Sequence, residues 1–251
     1  MALDIIAVIA VPAVLMVFVA AAVARRRTPT TSESDSVSFI GGVLSALFTV
    51  VLAFYVVFAW QAGADIRSTS DTEANALIDC YRQADVGPGP GRDHMRGLLR
   101  EYAAAVADRE WNSLDTTGRD DPRLDAITTE LRDRFIAMPA ADAGTEFRRE
   151  QGLDDLRQID ESHRSRVSAM GSVFNQVLLV GTIIGAVLMI GFPLLVGLGG
   201  RPVDLAVVAV LAAVLATIVF LAVLLARPLS GPFGANPGPF RDALSNMQQL
   251  T

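Results

Sequence analysis

FIGGVLSALFTVVLAFYVVFAW (Phe39–Trp60) carries no charged side chain. At about 1.5 Å per residue, the full apolar run Val37–Trp60 is long enough to cross a hydrocarbon core of about 30 Å as a helix. A helix is required there, because lipid offers no partner to a backbone N–H or C=O and a helix satisfies its own. Trp60 closes the run at a place where membrane interfaces favour an aromatic side chain.

Three more runs of this kind flank it: Ile5–Ala24 before, and Val173–Leu198 and Val203–Ala226 after. The only charge in the four is Asp204, the second residue of the last run. The pattern predicts an all-α membrane protein with four transmembrane helices, two and two around an inserted extramembrane helical bundle. The expected divisions are a first hairpin over 1–60, an extramembrane domain over 61–172, a second hairpin over 173–226 and a Pro/Gly-rich tail over 227–251. The apolar share of 51% supports this, since a soluble chain of 251 residues would not normally carry it together with a mean hydropathy of +0.40. The first run is expected to be retained rather than cleaved: Met1–Asp4 has no basic side chain, the apolar stretch is long, and Arg25–Arg27 follows it.

Charge narrows the functional classes. All 21 basic residues are Arg, which excludes a Lys-based mechanism. The segment 61–172 holds 22 acidic residues against 15 Arg, a balance that gives no nucleic-acid footprint. A single cysteine, Cys80, excludes an internal disulfide and any CxxC site. His94 and His163 lack a second histidine at zinc spacing, so no metal is expected and both are read as solvated or capping residues. No GxSxG and no glycine loop after a strand occurs, so neither catalytic residues nor a cofactor are expected and the protein is not read as an enzyme.

The middle segment reads as helices throughout. Ile66, Glu73, Leu77, Tyr81 and Ala84 continue the helical spacing of the second run well past the membrane, until GPGPGR (Gly87–Arg92) stops it. Met95, Leu98, Leu99, Tyr102 and Val106 mark a second helix, and Leu124, Ile127, Leu131 and Phe135 mark a third that ends near Pro139. A fourth starts around Asp142, with Asp160 and Arg164 as an i, i+4 pair, and reaches Val173 without a proline, as a stalk into the third membrane run. GGRP (Gly199–Pro202) is short enough for a tight hairpin, and the proline-rich tail is expected to be irregular until Arg241.

Within the second run, Gly41, Ser45, Thr49 and Ala53 form a ridge of small residues that lets another helix approach. Gly181 and Gly185 form a GxxxG of the same kind in the third run, followed by Gly191, Pro193 and Gly197. Packing is the ordinary explanation of these residues and a hinge the alternative, and Pro12 in the first run has the same double reading.

The helix ending AFYVVFAWQ (Ala53–Gln61), EANAL (Glu73–Leu77), Tyr102 with Val106, Glu110–Trp111, RSR (Arg164–Arg166), RPLSGPF and PGPF occur here in an order and spacing that resembles the bestrophin-like bacterial integral membrane proteins. The looser similarity to bestrophins implies a pentameric anion channel whose second membrane helix lines the pore. No run of consecutive acidic residues like a calcium clasp occurs, so calcium control is not implied. On that resemblance the stripe Gly42, Ala46, Val50, Phe54, Phe58 becomes a candidate pore lining, with Val50, Phe54 and Phe58 as a hydrophobic neck; the ordinary alternative is contact with lipid. Glu73, Glu110, Arg164 and Arg166 are read first as salt bridges between stalk helices and second as groups met by an anion at the membrane mouth.

The expected function is thus a homo-oligomeric channel of the cell membrane, with its own copies, the bilayer and inorganic anions as partners. The alternative is a membrane-anchored sensor or scaffold without conduction. The side of the 61–172 domain stays open: Arg25–Arg27 and Arg201 in the short loops point it outside the cytoplasm, whereas the bestrophin topology implies the inside.

Overall fold

The computed structural model describes residues 31–86, 89–139, 142–170, 173–195, 202–225, 229 and 234–250. Among these residues every regular element is helical. The order is α1 (Thr31–Gln83), a 3-10 turn (Ala84–Val86), α2 (Gly89–Ala105), a π-helical turn (Val106–Glu110), α3 (Trp111–Thr117), α4 (Pro122–Ile136), α5 (Ala143–Met170), α6 (Val173–Leu195), α7 (Pro202–Leu225) and α8 (Gly238–Gln249). The run Ile5–Ala24 with Pro12, the arginines 25–27, the connector GGRP up to Arg201 and Gly197 lie outside the described residues, as do Gly171 and Ser172 between α5 and α6.

Two stretches among the described residues, within Ser38–Gln83 and Ala206–Leu225, are long and apolar enough to cross a bilayer, and Val177–Pro193 is a shorter apolar helix. The chain divides into two compact units: Met1–Trp60 with Val173–Ala226, and Gln61–Ser172 with Arg227–Thr251.

In the first unit the packing face of α1 is set by Phe48 and Tyr55, seven residues apart and therefore on one side of the helix. Phe48 packs with Ala186 of α6 and Leu215 of α7, and Tyr55 with Leu179 and Ala222. The Tyr55 hydroxyl donates to the Ala222 carbonyl at 2.5 Å, which satisfies a buried polar tip. Glycines permit the close approach: a β-carbon on Gly185 would sit 2.7 Å from Phe48 Cδ2, and one on Gly41 would sit 2.7 Å from Phe192 Cε1. Val51 is 3.5 Å from the corresponding point on Gly181.

In the second unit a core of apolar side chains runs from Ile66 through Leu77, Tyr81, Leu99, Leu124, Leu131, Phe135, Leu156 and Ile159 to Phe240 and Met247. Its helices start on sequence signals. Asp121 accepts from the Arg123 N–H at 3.1 Å with Pro122 beside it, and Asp142 accepts from the Thr145 N–H at 2.8 Å, which holds the Asp142 carboxyl below its usual range. Gly118 closes α3 at φ +66, a left-handed conformation that favours glycine. A β-carbon on Gly152 would collide with the Phe135 ring, so α4 and α5 pack at a glycine.

Four local expectations change. The α1 helix ends at Gln83, and α2 starts inside the glycine–proline run, at Gly89, where Pro90 gives up an N–H that has no partner in a first turn. Asp160 pairs with Arg132 of α4 at 2.5 Å rather than with Arg164, because a neighbouring helix brings a guanidinium closer than the same helix does. His163 is buried and not solvated. The tail is regular from Gly238, three residues earlier than read, because Phe240, Ala243 and Met247 bury one face of α8 in the core.

Candidate functional site

Arg166 is the largest fully buried side chain among the described residues, at 0% exposure, and the second unit is organised around it. A buried guanidinium costs several kcal/mol unless carboxylates and hydrogen bonds meet it. Here they come from three helices. Glu73 of α1 takes Arg166 Nε at 3.1 Å and Nη2 at 3.3 Å, one on each carboxylate oxygen. Glu110, the last residue of the π turn, takes Nη2 at 2.8 Å through Oε2. Both carboxylates are fully buried.

The surrounding side chains complete the cluster. Tyr102 of α2 donates its hydroxyl to Glu73 Oε1 at 2.8 Å. His163, one turn before Arg166 on α5, places Nδ1 3.1 Å from Arg166 Nη2 and Nε2 3.6 Å from Glu110 Oε1. Trp111 of α3 and Phe240 of α8 lie against the guanidinium, with ring centroids 5.6 Å and 5.4 Å from Cζ and 6.3 Å from each other. Rings at this distance attract a cation through their quadrupoles and exclude water.

Burial tends to lower the Arg166 pKa, but the negative charges of Glu73 and Glu110 outweigh it and hold the guanidinium above its ordinary value. Burial pushes the Glu110 carboxyl above its usual range even though Arg166 and His163 pull it down. Burial, with the Glu73 charge beside it, also pushes the Tyr102 hydroxyl well up, so it stays a donor. Three buried atoms of the cluster have no hydrogen-bond partner: Arg166 Nη1, Glu110 Oε1 and Trp111 Nε1.

The π turn explains why Glu110 is here. An i→i+5 turn inserts one extra residue into the α2–α3 path, which keeps Glu110 and Trp111 on the buried face already carrying Met95, Leu99 and Tyr102. Such turns recur at functional sites.

Of the residues singled out in the sequence, Glu73, Glu110 and Arg166 therefore meet in one cluster, while Arg164 is exposed on α5. Val50, Phe54 and Phe58 lie on an outer face of α1 at 51%, 55% and 37% exposure, with the Phe54 and Phe58 rings stacked at 6.2 Å. Gly41, Gly181 and Gly185 lie at helix contacts, whereas Ser45 and Thr49 are exposed and the Thr49 hydroxyl donates to the Ser45 carbonyl at 2.9 Å. His94 is partly exposed and pairs with Glu130 at 2.7 Å. His163, Trp111 and Phe240 join the cluster beyond the residues expected from the sequence; the i, i+3 spacing of His163 to Arg166 is the signal that marks the first. Among the described residues no group of His, Cys, Asp and Glu is arranged to hold a metal ion.

A family model, the Bestrophin-like domain, matches residues 6–240. The chain belongs to the bestrophin-like family. That match takes in α1 to α7 and ends at Phe240, the ring seated on Arg166. The outer stripe of α1 and the Arg166 cluster therefore both fall inside the bestrophin-like domain. Comparison with curated proteins and with solved structures gave no match.

Proposed function

We propose that the protein is a homo-oligomeric, multi-pass bestrophin-like channel of the cell membrane, pentameric and anion-preferring, with Phe39–Trp60 around its axis. Four membrane helices in two hairpins carry the extramembrane domain 61–172 in this reading. The observation that carries it is the outer stripe of α1 in a chain of this family: Val50 and Phe54 are more than half exposed, and Phe58, stacked on Phe54, continues them beside the Phe48–Tyr55 packing side. Repeated around a symmetry axis, such a stripe makes a constriction that gates by dewetting. Subunit counting in detergent by electron cryo-microscopy, followed by halide flux into liposomes, tests it. A monomer or dimer without flux would favour the membrane-anchored sensor or scaffold instead.

A further inference from the structure

We draw no further inference here: the strongest candidate, the exposed apolar face of α7 that carries Val203, Val207, Val210 and Val214, is a helix face of the first unit, and nothing in the structure shows what covers it.

Discussion

The Arg166 guanidinium carbon lies 5.4 Å from the centre of the Phe240 ring, so a residue of α8 covers a charge held between α1 and α5. Because Phe240 is fully buried, Phe240→Ala removes its transfer energy and leaves a cavity over the guanidinium, a loss of about 3–5 kcal/mol. Phe240→Leu should cost much less. Thermal unfolding of the purified full-length protein, followed by circular dichroism, checks the order wild type, F240L, F240A.

Arg166→Met should be among the most damaging single changes in the second unit. It leaves Glu73 and Glu110 as buried carboxylates with no cation between them, which typically costs about 3–5 kcal/mol. The triple variant with Glu73→Gln and Glu110→Gln should recover much of that loss, because a neutral cluster has no charge to compensate. Equal melting temperatures for the single and triple variants would contradict this account.

Asp155 gives a pH-dependent case away from the cluster. Burial, reinforced by Asp79 and Asp154, pushes its carboxyl from 3.8 to about 6, and its Oδ2 is buried without a partner. A pKa raised in the fold contributes stability that is fully present below the unfolded value of 3.8 and is lost as pH rises through about 6. Asp155→Asn should therefore be more stable than wild type above about pH 7, with the advantage shrinking as the buffer is acidified. Chemical denaturation at several pH values measures it.

On the channel reading proposed above, changing Phe54 and Phe58 together to Ala should raise halide flux in liposomes. No flux from wild type and from the double variant, both recovered as intact oligomers, would remove the channel reading.

The helical character of the chain is legible because apolar residues recur at helical spacing, and of the four residues expected to form salt bridges, Glu73, Glu110, Arg164 and Arg166, all but Arg164 meet. The details were not legible where the physics is long-range. Asp160 has Arg164 four residues away, yet the neighbouring α4 presents Arg132 at 2.5 Å, and a local rule cannot see that. The π turn shifts Glu110 and Trp111 by a fraction of a turn, and no residue type announces such a shift. A lone histidine is ordinarily solvated or a cap, and nothing local to His163 marks its burial beside Arg166 except the i, i+3 spacing. The proline-rich sequence before α8 suggested an irregular tail, while the i, i+3, i+7 pattern of Phe240, Ala243 and Met247 carried the contrary signal.

The place of α8 in the core also sets an order of assembly. Residues 66–159 supply most of that core, but Phe240 and Met247 are translated only after α7 has emerged, so the globular part waits for its keystone until both apolar helices α6 and α7 have been made. A chain cut before α8 would lose Phe240, Ala243 and Met247 from that core and leave the Arg166 guanidinium with the Trp111 ring alone against it.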